Sequence, residues 1–226
     1  MMNLRSAISK IETKGMLLTY PIDNRRDPPS LWYEFFPRTK MRWEWDSGGD
    51  NRVADLWHLK TQLSCSGKVV YSKWYRGRAT FFSKSAFASM LAPILPIARA
   101  GLNREAQEML ELLRENSPLS TKELKRLAGL TGKFNESTYT RALKQLFSRF
   151  LIVGFGEVED GAFPSLAMGA TELLFEDVWV EAARLSAESA DQRMKKLLPA
   201  DSAFLKDYLK LSKTLSPFKP VSPACL

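Results

Sequence analysis

Leu4, Ile8 and Ile11 recur at helical spacing through LRSAISKIETK, and Gly15 follows as a residue that tolerates positive φ, so residues 4–14 predict a first helix. A loop rich in Pro, Asp and Arg comes next. Ser30, after Pro28 and Pro29, is placed to cap the short segment LWYEFF, which Pro37 ends. In MRWEW the apolar Met41, Trp43 and Trp45 alternate with Arg42 and Glu44, the pattern of a half-buried strand. Asp50 or Asn51 opens a helix, VADLWHLKTQL, that closes near Gly67. KVVYSKWYRGRATFFSK (68–84) then predicts two strands about a turn at Arg76-Gly77.

The second half repeats the plan. A helix over 85–100 is bent by its prolines, and in the helix over 103–116 Ala106, Met109, Leu110 and Leu113 form an apolar stripe. Ser120 and Glu123 have the spacing of a capping box, with the helix KELKRLA ending at Gly129. A second cap at Asn135 or Ser137 leads into STYTRALKQLFSRF, where Tyr139, Ala142, Leu143, Leu146, Phe147 and Phe150 share one face. The strand LIVGF and a returning segment after Asp160-Gly161 follow. Helix, turn, helix and hairpin is the layout of a winged helix. The expected fold class is therefore α+β, mostly helical, with tandem winged-helix (helix-turn-helix plus β-hairpin wing) domains and a C-terminal helical tail. The expected spans are 1–100, 101–170, a helical extension over 171–215 and a frayed, proline-punctuated tail over 216–226.

Composition narrows the setting. The 226 residues are 45% hydrophobic, enough to bury one sizeable core or two small ones. Cys65 and Cys225 lie far apart with no metal spacing around either, and read as reduced thiols in a cytoplasmic protein. MMNLRSAISK lacks an apolar export core, and FASMLAPILPIA is interrupted by Pro93 and Pro96 and too short to span a bilayer, so no membrane partner is expected. The net charge of +8 is unevenly placed: +6 over residues 1–80, +2 over 81–160 and zero over 161–226. That gradient points to a polyanion contact in the N-terminal third.

Enzyme signatures are scarce. There is no Walker loop, HExxH or GxSxG, and Gly154-Phe-Gly156 lacks the third glycine of a dinucleotide fingerprint, so neither cofactor nor metal is expected. His58, the single histidine, precedes Cys65 by seven residues with no third group placed to orient it, and reads as a surface or packing residue.

Two surfaces suit nucleic acid. In the second half Thr138, Arg141, Gln145, Ser148 and Arg149 lie away from the apolar stripe, and Arg and Gln can pair with base edges. The plainer reading is the polar face of any amphipathic helix. The adjacent wing tip, Glu157-Val-Glu159-Asp160, carries three carboxylates that would repel phosphates, which favours a structural or partner-facing role for this half. In the first hairpin, with Arg76-Gly77 as the loop, Tyr75 faces Arg78, Lys73 faces Thr80 and Tyr71 faces Phe82. Val70, Trp74, Ala79 and Phe81 then form the core side, and Lys73, Arg76 and Arg78 lie among tyrosines, with Lys60 nearby. Cations bind phosphates while rings stack on bases, and the plainer reading is that the cationic stems merely cover the tyrosines.

PSLWYEFF, DLWHLKTQL, VVYSKWYRGRATFFS and RALKQLFSRFLIVGFG together resemble the short AlkZ-related branch of the bacterial AlkZ-like winged-helix proteins, over most of residues 1–185. The resemblance implies winged-helix domains, DNA as partner and an association with base damage, because well-known members are DNA glycosylases. Those enzymes carry a Gln-x-Gln or Gln-x-Asp motif shortly after the first helix. The comparable stretch here is GMLLTYPID, with Thr19 and Pro21 at the two motif positions, so the usual catalytic residues are absent.

Cleaving an N-glycosidic bond needs a carboxylate or amide beside an oxocarbenium-like sugar, and Asp23, Glu34 and Asp55, with Glu44 and Asp46, are the acids near the aromatic N-terminal half. Each also reads as a surface carboxylate, cap or ion-pair partner. Three functions stand open: a DNA-binding protein without the family's catalytic motif, an active glycosylase with a non-standard acid, and a non-enzymatic interaction module whose protein partner meets the C-terminal helices.

Overall fold

A computed structural model describes residues 2–44, 48–161 and 164–215. Helix α1 (Leu4–Lys14) starts where the Asn3 side chain accepts from the Ser6 amide at 2.9 Å, and ends at Gly15, whose φ of 76° needs no Cβ. Strand β1 (Met16–Leu18) follows, then α2 (Leu31–Phe35), capped by Ser30 as expected. Residues 41–44 of MRWEW form no strand. The amide of Asn24 takes both main-chain groups of Met41, accepting from its N–H at 2.6 Å and donating to its carbonyl at 3.0 Å, so no ladder partner is needed there. Trp45 lies outside the described residues.

Helix α3 (Arg52–Cys65) leads into β2 (Val70–Ser72) and β3 (Thr80–Phe82). The chain then runs through α4 (Lys84–Leu91), which stops before Pro93, and α5 (Arg104–Asn116). The short β4 (Leu119–Ser120) precedes α6 (Thr121–Leu127). The Ser120 hydroxyl accepts from the Glu123 amide at 3.1 Å, while the Glu123 carboxylate turns to Arg126. Helix α7 (Glu136–Ser148) buries Tyr139, Ala142, Leu146 and Phe147, the stripe read from its spacing. Strands β5 (Ile152–Val158) and β6 (Ser165–Ala170) form the second hairpin, and α8 (Thr171–Leu174), α9 (Glu176–Arg184), α10 (Ala187–Leu197) and α11 (Ala203–Leu215) complete the described chain. Residues 216–226, expected to fray, lie outside the described residues. No helix among the described residues is long and apolar enough to cross a membrane.

The architecture is mixed α+β, with one antiparallel sheet in the order β1-β3-β2-β5-β6-β4. The expected spans 1–100 and 101–170 thus share a sheet, joined where Tyr71 of β2 faces Gly154 of β5. A Cβ on residue 154 would meet the Tyr71 ring at 2.2 Å, so the seam requires a glycine. Side chains alternate across the sheet with period two. Met16, Leu18, Val70 and Phe82 enter a core shared with α4, α5, α7 and the C-terminal helices; Leu17, Tyr71 and Phe81 enter a second core under α1, α2 and α3. Trp74 stacks on Phe150 at 5.7 Å, locking the first hairpin to the second half.

The hairpin register corrects the expected one. Val70 faces Phe82, Tyr71 faces Phe81 and Ser72 faces Thr80, one residue away from the predicted pairing. The turn itself is at Arg76-Gly77, both at positive φ, with the Arg78 amide donating to the Tyr75 carbonyl at 2.8 Å. Between the Ser72–Thr80 pair and the turn bond, the first arm has two residues, Lys73 and Trp74, and the second has one, Ala79, so an extra residue on the first arm shifts the pairing. Phe81 consequently lies on the Tyr71 side, opposite Val70 and Trp74, and both faces of the strands are buried.

Candidate nucleic-acid and base-reception site

A cavity of about 360 Å³ opens between the first hairpin, α3 and the start of the second hairpin's tip. Tyr20, Trp43, Trp57 and Tyr71 supply aromatic surface to it, and Lys60, Lys73 and Arg78 supply cations. Pro21 also lines it, so the GMLLTYPID stretch, from β1 onward, runs to the cavity's edge. Tyr20 is held by a bond from its hydroxyl to the Val53 carbonyl at 2.8 Å, and its ring meets Trp43 at 5.4 Å. Burial pushes the Tyr20 and Tyr71 phenols well above the usual tyrosine range, so both rings are neutral walls, and the Tyr20 hydroxyl is fixed by its bond to Val53.

The carboxylate in the cavity wall is Glu157. It accepts from Lys60 Nζ at 2.6 Å and from the Thr61 hydroxyl at 3.0 Å, so each oxygen has a donor on α3. The Lys60 and Glu157 side chains are only 8% and 11% exposed, and the Lys60 ammonium also lies 3.6 Å from the Trp57 ring centroid. A β-bulge brings Glu157 there. Gly154 faces Met168 but Glu157 faces Leu166, so one extra residue is accommodated in β5, with Gly156 at a φ of 85°. In a regular strand Glu157 would share the face of Phe155, which packs on the larger core. The bulge moves it to the face of Gly154 and Tyr71.

Among the predicted contact residues, Lys73 is half-buried at the cavity, where burial first and the Lys60 charge second hold its ammonium below the usual lysine range, opposed by Glu157. Arg78 is exposed at the mouth with no ion pair among the described residues. Arg76 points elsewhere, to Asp207 of α11 at 2.9 Å, and lies over the Tyr75 ring. On α7, Arg141 is exposed beside Lys144. Gln145 is engaged inward, accepting from the Asn103 amide at 3.0 Å. Arg149 is 9% exposed, and its guanidinium donates to the carbonyls of Ala98, Ala100 and Gly101, tying down the segment before α5.

The candidate acids are scattered. Asp23 is exposed in a turn at positive φ, Glu34 pairs with Lys10 at 3.3 Å and Lys14 at 3.9 Å, and Asp55 is exposed in the first turn of α3. None of the three lines the aromatic cavity. Glu44 is exposed beside Trp43 and Trp57, and Asp46 lies outside the described residues. Sequence reasoning took Glu157 only as a wing-tip charge. The usable signal was Gly156 immediately before it, since a glycine inside a strand pattern marks a bulge. Of the other acids at the second hairpin's tip, Asp160 meets Lys122 at 3.3 Å and accepts from the Ser165 hydroxyl at 2.6 Å, whereas Glu159 is exposed. His58 and Cys65 are both exposed on α3.

A family model described as AlkZ related matches residues 1–203, which include every residue of the cavity. No curated protein and no solved structure matches the chain.

Proposed function

The chain belongs to the AlkZ-related family, and from that premise we propose that it binds DNA and admits an unstacked base into the cavity beside the first hairpin. In this reading the two halves are winged-helix units, and DNA lies against the first hairpin. The observation that carries the proposal is the convergence of Tyr20, Trp43, Trp57 and Tyr71 with Lys73 and Arg78 around a single concave site. Its volume lies within the range of about 300–1,000 Å³ typical of small-ligand pockets. Aromatic walls stack on any base, and cations at the mouth hold the flanking phosphates. Full-chain binding to a DNA duplex should fall steeply with salt, and Arg78→Ala should lower the slope of log affinity against log salt by about 0.9. Salt-independent binding, or an unchanged slope in that variant, would remove the hairpin from the interface.

One observation favours a second reading, hydrolysis of the N-glycosidic bond: a carboxylate does stand in the cavity wall. Glu157, fixed by Lys60 and Thr61, would set a negative charge beside an oxocarbenium-like sugar in place of the missing Gln motif. Incubation with alkylated DNA should then leave alkali-labile abasic sites with the native protein and none with Glu157→Gln. Intact strands from both proteins would leave binding without chemistry.

A further inference from the structure

Phe134 is 99% exposed, the largest exposure among the described large hydrophobic side chains. A ring left wholly in water forgoes the free energy of burial, and this one is displayed on a firm mount. It sits in a turn of 3-10 helix, Lys133–Asn135, between α6 and α7. Gly132 enters that turn at a φ of 87°, the Asn135 amide N–H donates to the Gly132 carbonyl at 3.1 Å, and the Asn135 side chain donates to the Thr131 carbonyl at 2.9 Å. The loop is therefore closed by two bonds that Asn135 donates back across the ring.

The groove that begins at the neighbouring Lys133 is cationic. Lys133, Arg141 and Lys144 line one open groove along α7 with the hydroxyls of Ser137 and Thr140, and these three cations have no ion pair among the described residues. The groove's one acid, Glu136, is engaged by Lys125. A lone aromatic among unpaired cations and hydroxyls fits a polyanion that also offers flat apolar faces, which describes nucleic acid.

We propose that Phe134 is a stacking wedge, set against or between bases while Lys133, Arg141 and Lys144 hold the adjacent phosphates. The inference rests on the DNA-binding reading, but it concerns a different surface from the cavity and a different set of residues. It also gives the second half a direct role on DNA, where the acidic wing tip pointed away from one.

The test uses the full chain at low salt and a set of short DNA duplexes, each with 2-aminopurine at a different position, because that base brightens when unstacked. The native protein should raise fluorescence at one or a few positions. Phe134→Ala should lose the rise beside the ring, keep any from a base held in the cavity, and bind about tenfold more weakly with an unchanged salt slope, since no charge is removed. Phe134→Trp should retain both. Lys133→Ala combined with Arg141→Ala and Lys144→Ala should instead lower the slope by about 2.7. Equal affinity and an equal fluorescence rise in Phe134→Ala would overturn the wedge alone. Self-association of the native chain that Phe134→Ala abolishes, with DNA binding unaltered, would assign the ring to a second copy and overturn it too. Failure of the native protein to bind any duplex would overturn the DNA reading itself. Because the ring packs on nothing, folding of Phe134→Ala is not at risk.

Discussion

The two hairpins of the sheet differ in a way their sequences conceal. The first, β2–β3, has three-residue strands buried on both faces and a basic tip; the second, β5–β6, has longer strands and an acidic tip. Read separately, one attracts phosphate and the other repels it. In the fold they meet at Tyr71 and Gly154, and two of the second's three acids are met by cations, one from each half: Glu157 by Lys60, Asp160 by Lys122. A charge counted as repulsive in the chain becomes a fixed wall of the cavity that the first hairpin borders. Charge at a tip decides little until the partners it finds in the fold are known.

The largest effect should come from parting Lys60 and Glu157. Lys60→Met leaves a largely buried carboxylate with only the Thr61 hydroxyl, and should cost about 3–5 kcal/mol in chemical denaturation. Lys60→Met with Glu157→Met should recover most of that loss, because no uncompensated charge remains. A single variant as stable as the native protein would mean that α3 and the second hairpin are not coupled through this pair.

The glycines of β5 sharpen the comparison next. Gly154→Ala drives a methyl into the Tyr71 ring at the seam and should lose about 3 kcal/mol. At Gly156 the methyl has room, its nearest neighbour being Cys65 Cβ at 3.4 Å, and the penalty is the positive φ alone, about 1 kcal/mol. Thermal melts of the pair should therefore rank Gly154→Ala well below Gly156→Ala; the reverse order would contradict the seam.

Smaller effects separate the two arginines and Lys73. Arg78→Ala should weaken DNA binding more than Arg76→Ala, since Arg76 is shared with Asp207; equal losses would place both at the interface. Burial depresses the folded-state pKa of Lys73, so between its folded and unfolded values the unfolded chain binds the extra proton and stability rises with pH. Lys73→Met should then raise the melting temperature at neutral pH, flatten that alkaline rise and weaken DNA binding. A variant that melts lower than the native protein would show that the ammonium is not under a burial penalty.

Much of the fold was legible where periodicity and caps coincide. Helices α1, α5 and α7 and their buried stripes follow from apolar spacing, and the turn at Arg76-Gly77 was in place. What spacing does not contain is competition from distant groups. Asn24 takes the main chain of Met41 and cancels a strand that alternation favoured. One extra residue opposite Ala79 slips the hairpin register, and the glycine bulge before Glu157 turns that side chain through the sheet. Arg149 and Gln145 lie on a polar helix face by any wheel, yet backbone groups before and at the start of α5 claim them. Arg78, Lys73 and Lys60 do gather at one site, around an acid that the chain order kept ninety-seven residues from Lys60.

The most direct test compares the affinity of the full chain for a fully paired duplex and for the same duplex with one mismatched base, at one salt concentration, in the native protein and in Trp57→Ala. A mismatched base costs less to unstack, so a cavity that admits a base predicts tighter binding of the mismatched duplex. It also predicts loss of that preference in Trp57→Ala, whose ring is 45% exposed at the cavity and not part of the core. Equal affinity for both duplexes in the native protein, or a preference that survives in the variant, would contradict the account.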